Sequence, residues 1–280
     1  MIEKHSATRI YAGGVNQNTL LAQHLLENNI QLPDRRFDDA LAYWINSLSN
    51  VIYHTATFVQ QDFNIDSEPP EKDSLMNIVE SGEWDLEGYT HSLRLQGMEA
   101  DANRMFVTSL LTMLMTLENY NALVAVVGYV GSGDNSYEAL HLSGKGIEFY
   151  PPAFYHYLGK NGDFVDTVMP IKYGEMLVQL HYAISGDLFK KENELDLHRF
   201  EIELSDIPVV KDQVYLETRG VLDFTNADVK GRALGGGICL NLSDSLDSTF
   251  SVLYSQDDVL FNDVMRKGVI EPRMGLVGKF

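Results

Sequence analysis

The sequence predicts an α+β fold, a helical N-terminal half packed on a mainly antiparallel β-sheet in the C-terminal half. Three observations carry this. Up to Gly128 the apolar residues recur at spacings of three and four, the period of an amphipathic helix. Beyond Gly128 the apolar runs are short and alternate, as in half-buried strands. Apolar residues make up 45% of the 280, enough for a core held by neither disulfides nor a structural metal.

A first helix is expected over Thr19 to Asn28, with Leu21, Leu25 and Leu26 inward and Asn29 as its stop. Pro33-Asp34 opens a second, running to Gln61, in which Phe37, Leu41, Trp44, Ile45, Leu48, Ile52 and Phe58 trace one face. A polar break follows at Asn64 to Lys72, with Pro69-Pro70 inside it. Asp73 is placed to cap a short helix ending at Glu80. Gly82 to Gly97 reads as a turn-rich connection. Glu99 to Asn119 reads as a fourth helix, carrying Met105, Phe106, Leu110, Met113, Leu114 and Leu117. Residues 1–122 are thus expected to form a helical subdomain.

Residues 123–267 read as an α+β subdomain. Leu123 to Val127 is a candidate buried strand. Tyr137 to Leu142 and Ile147 to Tyr150 form a hairpin through Gly144-Lys145-Gly146. Pro151-Pro152 imposes an extended stop. Tyr173 to Leu188 reads as a helix. Strands are expected at Arg199 to Leu204, with Glu201 and Glu203 on one face, and at Val214 to Thr218, Val221 to Phe224, Ile238 to Leu242 and Phe250 to Tyr254. Asp258 to Met265 reads as a closing helix. Residues 268–280 form a C-terminal arm, apolar apart from Glu271 and its basic residues, that needs a surface to lie on.

Charge narrows the function classes. Forty Asp and Glu stand against 21 Lys and Arg, a formal net of −19. Nucleic-acid binding rests on cationic side chains displacing phosphate counterions. The adjacent basic pairs here are Arg35-Arg36, Lys190-Lys191 and Arg266-Lys267, none set among interleaved aromatics. The same charge opposes anionic membranes. No window approaches the roughly 20 apolar residues of a membrane span; Leu110 to Val130 comes nearest and is broken by Glu118, Asn119 and Asn121. The start, Met1 to Ser6, lacks a basic-then-apolar leader, so no signal peptide is expected. One cysteine, Cys239, allows no intramolecular disulfide and favours a reducing compartment. The expectation is a soluble, acidic protein, cytoplasmic or assembled within a virus particle, with no nucleic acid or membrane as partner.

The motifs that carry chemistry are incomplete. Gly128 and Gly133 have the spacing of a phosphate-binding loop, but Asp134 and Asn135 stand where Lys and Ser or Thr are needed, and Val130 spoils the dinucleotide fingerprint. Gly235-Gly236-Gly237 reads as a hinge, bulge or tight turn before the next strand. The eight histidines, at positions 5, 24, 54, 91, 141, 156, 181 and 198, include no pair of zincin spacing and have no cysteine pair beside them. Cys239 lies in an apolar strand pattern and reads as an inert thiol. Asn241 to Asp247 alternates oxygen side chains but lacks the glycine and glutamate of a calcium loop. Carboxylates are too many for any pair to be diagnostic. No catalytic residue, cofactor or metal ligand is therefore assigned.

The densest aromatic stretch, Phe149 to Tyr157, offers two readings. Exposed, Phe149, Tyr150, Phe154, Tyr155 and Tyr157, with Phe280 of the arm, form a partner-binding patch. Buried, the stretch is a packed corner after Pro151-Pro152. The leading functional expectation is a non-catalytic structural subunit of a large homomeric assembly, such as the shell or tube of a virion, whose partners are copies of itself or other protein subunits. The alternatives are an acidic inhibitor or immunity protein that blocks a basic partner, and a carboxylate-based hydrolase.

Overall fold

The computed structural model describes residues 4–31, 35–62, 89–90, 93, 102–159, 162–185, 197–210, 213–225, 228–243, 246–255 and 270–278. In chain order its elements are α1 (Lys4–Gln31), β1 (Arg35–Arg36), α2 (Phe37–Asp62), α3 (Ala102–Met115), α4 (Leu117–Ser132), β2 (Ser136–Tyr137), β3 (Leu142–Gly144), β4 (Ile147–Phe149), β5 (Ala153–Gly159), β6 (Gly162–Tyr173), β7 (Met176–Ser185), β8 (Leu197–Val210), β9 (Val214–Thr225), β10 (Asp228–Ser243), β11 (Leu246–Ser255) and β12 (Ile270–Gly278). Helices precede a large antiparallel sheet, and the fold is α+β. The chain forms two compact units. One comprises residues 1–139, 153–166 and 185–188, the other the remainder.

The first unit holds the four helices, the two-stranded β1–β2 pair and β5. Its core is Ala22, Leu26 and Ile30 of α1, Ala40, Tyr43 and Val51 of α2, and Met105 of α3, against Tyr155, Tyr157 and Leu158 of β5. The first helix is about four turns longer at its start than the apolar spacing indicates, and Leu21, expected inward, is exposed while Ala22, Leu26 and Ile30 are buried. The second begins where expected within a few residues. Asp38 and Asp39 sit in its first turn, where the helix dipole favours negative charge. The Asp39 carboxylate also accepts the Arg36 backbone N–H at 3.1 Å, which satisfies an amide the helix leaves unpaired.

The expected fourth helix is two helices bent by 66° at Thr116. The valine-rich Leu123 to Val127, expected as a buried strand, is the exposed middle of α4. Its β-branched residues suggested a strand, but the run continues apolar for four helical turns and ends in a helical cap. Gly133 adopts φ 75° there, and its N–H reaches the Tyr129 carbonyl at 2.8 Å. Tyr89, Thr90 and Leu93 are helical and buried, where a turn-rich connection was expected. The expected break at Asn64 to Lys72 and the helices Asp73 to Glu80 and Asp258 to Met265 lie outside the described residues.

β5 pairs with β6 on one side. Side chains from the helices satisfy its other edge. Asn16 donates from Nδ2 to the Leu158 carbonyl and accepts the Leu158 N–H, both at 2.8 Å. Thr116 Oγ1 accepts the Phe154 N–H at 2.9 Å. Thr19 donates to the His156 carbonyl at 3.1 Å. An amide and two hydroxyls thus do the work of a neighbouring strand.

The second unit is the sheet. Its strand order is β12-β11-β10-β9-β8-β7-β6-β4-β3, and every register given is antiparallel. The β3–β4 hairpin turns through Lys145 at φ 54° and Gly146 at φ 78°, but its first strand is not the expected Tyr137 to Leu142. Tyr137 pairs with Arg35 in the two-stranded sheet, residues 138–141 lie outside any strand, and Leu142–Gly144 pairs with β4. Of Tyr173 to Leu188, expected as a helix, the described residues 173–185 are the end of β6, a turn and all of β7. Burial there alternates strictly, with Leu177, Gln179, His181 and Ala183 inward, so a period of two overrides good helix formers. The strands expected at Val214 to Thr218 and Val221 to Phe224 are one strand, continuous through Gly220. Gly235-Gly236-Gly237 is neither hinge nor turn but mid-strand in β10. The C-terminal arm is β12, paired along β11 from Tyr254↔Ile270 to Leu246↔Gly278 at the edge of its own sheet.

Candidate functional site

A buried polar cluster lies within the first unit. β5 brings in His156, β6 Asp163, α2 His54 and α3 Arg104. His156 Nε2 lies 2.8 Å from Asp163 Oδ2, and Arg104 Nη2 donates to Asp163 Oδ1 at 2.7 Å. The His54 ring is 5.0 Å from that of His156, and neither of its nitrogens has a hydrogen-bond partner among the described residues. Burial pushes the Asp163 carboxyl up, but hydrogen bonding and attraction from His156 and Arg104 outweigh it and hold the group at about 2. Burial, reinforced by repulsion from His156, holds the His54 ring down at about 3, against the pull of Asp163.

These are the parts of an acid–base relay, a carboxylate orienting a histidine. His156 Nδ1 is buried without a hydrogen-bond partner among the described residues, and His156 borders a cavity lined by Thr19, Ser47, Asn50, Ser109, Thr112 and Thr116, among others. That cavity has about 20 Å³. A single water needs about 10–15 Å³ on this measure. The cluster can therefore hold a proton and a water, but no substrate of drug or metabolite size.

A second cluster lies on one face of the sheet. Antiparallel register places directly opposed residues on the same face. Gln179, Glu203 and Arg219 form one row across β7, β8 and β9; His181, Glu201 and Val221 form the next; Ala183, Arg199 and Asp223 form a third. His181, Glu201, Arg199 and Asp223 are all buried. Arg199 grips Asp223 with two nitrogens, Nε at 2.7 Å and Nη2 at 3.0 Å. Arg219 Nε lies 2.6 Å from Glu201 Oε1. The alternation of Glu201 and Glu203 onto one face is as the sequence indicates; the histidine and two arginines beside them were not foreseen, because sequence spacing does not reveal which strand is the neighbour.

The opposite face of the same strands is apolar and exposed. Tyr182, Phe200 and Leu222 form one row, which ends in the exposed Arg232 on β10; Ile202 and Leu234 lie on the next across Gly220, and Leu216, Ile238, Phe250 and Met274 form another. Leu234 is 65% and Met274 84% exposed. Tyr182, His198 and Phe224 stack in series across three strands. Ile207, Leu216, Ile238 and Phe250 border an apolar groove of about 380 Å³, floored by Gly236. A half-solvated antiparallel sheet normally turns its polar face outward. Here the polarity is reversed.

The first unit has an apolar exposed surface of its own along α4, where Val124, Val127 and Val130 are 69%, 61% and 81% exposed. Among the described residues no single helix is long and apolar enough to cross a membrane; α3 and α4 meet that measure only as a pair bent by 66°.

The aromatic stretch does not form one patch. Tyr150, Tyr155 and Tyr157 are buried, Phe154 is half-buried, and Phe149 is exposed. β5 is buried almost throughout, on both of its faces, so most of the stretch is core. Phe280 lies outside the described residues. The glycines of the apparent phosphate loop sit at the C-terminal end of α4, the negative end of the helix dipole, which is the wrong end for a phosphate. No family model, curated protein or solved structure matches the chain.

Proposed function

We propose that this chain is a non-catalytic structural subunit that self-associates through the apolar face of its sheet. One observation carries the reading. The exposed face of β8 to β12 includes no carboxylate at any register position from Phe200 to Met274, in a chain with 40 acidic residues. Arg232, opposite Leu222, is the charged side chain at these register positions; across the rest of the face two copies can meet without carboxylate repulsion, and the face loses its contact with water when they do.

The area is of the right order. Five strands about 4.8 Å apart, each about ten residues long at about 3.4 Å per residue, span roughly 800 Å². A standard stable interface takes about 800 Å² from each partner. The exposed valines of α4 give the first unit a further apolar surface, as a subunit with several neighbours requires. The confined cavity beside His156 supports a non-catalytic role.

Sedimentation velocity across a concentration series tests the reading. The unmodified chain is expected to sediment as an oligomer, and the Leu222→Glu/Leu234→Glu double variant as a monomer with an unchanged circular dichroism spectrum. A chain that stays monomeric at every concentration, or a double variant that associates as before, overturns it.

A further inference from the structure

We infer that His181, Glu201 and Glu203 form a binding site for one divalent transition-metal ion of the zinc class. One ligand atom from each lies within 4.8 Å of the other two. The sheet sets this arrangement. His181 and Glu201 are directly opposed on β7 and β8, and Glu203 follows two residues later on the same face. Donors around one ion at about 2.1 Å lie no more than about 4.2 Å apart, so small side-chain rotations close the site.

The donor set selects the ion. Imidazole nitrogen with two carboxylates suits zinc, manganese or iron, whereas magnesium and calcium prefer oxygen alone. His181 and Glu201 are 5% and 3% exposed, so the ion would sit in a medium that strengthens its attraction to both carboxylates. Arg219 Nε forms an ion pair with Glu201 Oε1, which leaves the second carboxylate oxygen to ligate.

A second feature points the same way. Next to Glu203 and Arg219 lies a cavity of about 130 Å³, lined also by Glu217, Ser251 and Gly235 to Gly237. It exists because β10 presents glycines where other residues would project side chains. This space gives an ion a route to Glu203 and holds the waters that three protein ligands leave to complete a coordination shell. The site is independent of the apolar face and of the assembly reading.

The test uses the full chain without an affinity tag, stripped with chelator and titrated with Zn²⁺ by calorimetry and with Co²⁺ by visible absorption. One ion per chain is expected, with Zn²⁺ bound at least a hundredfold more tightly than Mg²⁺. Glu203→Gln keeps the side-chain volume and is expected to weaken binding at least tenfold; His181→Ala is expected to abolish the stoichiometric site and the Co²⁺ spectrum. Should His181→Ala fail to fold by circular dichroism, Glu203→Gln decides. Absence of stoichiometric binding, affinity for Zn²⁺ no greater than for Mg²⁺, or a Glu203→Gln variant that binds as tightly as the unmodified chain overturns the site.

Discussion

Asn16 and Leu158, 142 positions apart, are joined by two hydrogen bonds of 2.8 Å, so that one side-chain amide pairs both backbone groups of a strand residue. The contact is a one-residue imitation of a β-ladder. It ends the sheet on the β5 side without exposing that residue's N–H and C=O to another chain. Asn16→Ala removes both partners at once. A buried unpaired polar group costs about 1–3 kcal/mol, so urea unfolding should show a loss of about 2 kcal/mol or more. Asn16→Asp keeps the acceptor for the Leu158 N–H but faces the carbonyl with a second acceptor, and is expected to lose as much. A variant within 0.5 kcal/mol of the unmodified chain, the scale of neutral surface changes, would show that water replaces the amide without cost.

His54 makes stability depend on pH in a defined window. Its folded pKa is about 3, below the ordinary 6.5. The unfolded chain therefore binds a proton between those limits that the folded chain refuses. The contribution is complete above about pH 6.5 and is lost as pH falls toward 3. One proton corresponds to a slope of about 1.4 kcal/mol per pH unit. Asp163 is also depressed, to about 2, so its contribution is present above about pH 3.8 and is lost only below that. Between pH 4 and 6 the two separate. His54→Leu should flatten the stability profile there by about one proton, measured by unfolding at half-unit steps. An unchanged slope would mean that His54 opens to water or is protonated in the folded chain.

Two glycines of the β10 run, Gly236 and Gly237, differ in the room they leave for a side chain. A Cβ on Gly237 would lie 3.0 Å from the Ser251 Cβ and 3.1 Å from the Phe250 carbonyl oxygen, neither of which is a flexible chain end. A Cβ on Gly236 would meet nothing nearer than the Glu217 carbonyl at 3.5 Å, an ordinary contact. Gly237→Ala should destabilise by about 1–3 kcal/mol through overpacking. Gly236→Ala should be neutral or stabilise by up to about 1 kcal/mol, because it restricts the unfolded chain. Thermal unfolding of the pair checks the contrast, and equal effects would show that β11 moves aside freely.

Local signals carried much of the fold. The three-and-four spacing of Phe37, Leu41, Trp44 and Leu48 gave α2 as a helix, and Gly144-Lys145-Gly146 gave the turn of the hairpin, because helical period and a two-residue turn are decided within a few residues. The face that α2 buries, with Ala40, Tyr43, Val51 and His54, was not the one that spacing traced, and Ile45 and Ile52 are exposed. The failures share a cause. Val124 to Val127 reads as a strand by propensity, and Met176 to Ser185 carries enough Leu, Met and Ala to read as a helix. Each is decided by its neighbours, a continuing helix in one case and pairing with β8 in the other. The carboxylates Glu201 and Glu203 were placed on one face correctly. That His181 stands opposite Glu201 was not legible, since β7 was taken for a helix and strand register is set by partners, not by spacing along one strand.

The sequence by itself determined the class of this protein: helices first, strands after, an acidic chain with no complete catalytic motif. Composition and period suffice for that, because they report which residues can share a face. The tertiary structure alone decided what each face meets. It put Glu201, Arg199 and Asp223 inside and Leu234 and Met274 outside, reversing the usual order of a half-solvated sheet. Alternation fixes that two faces differ; only the packing of strands far apart in sequence decides which of them water touches.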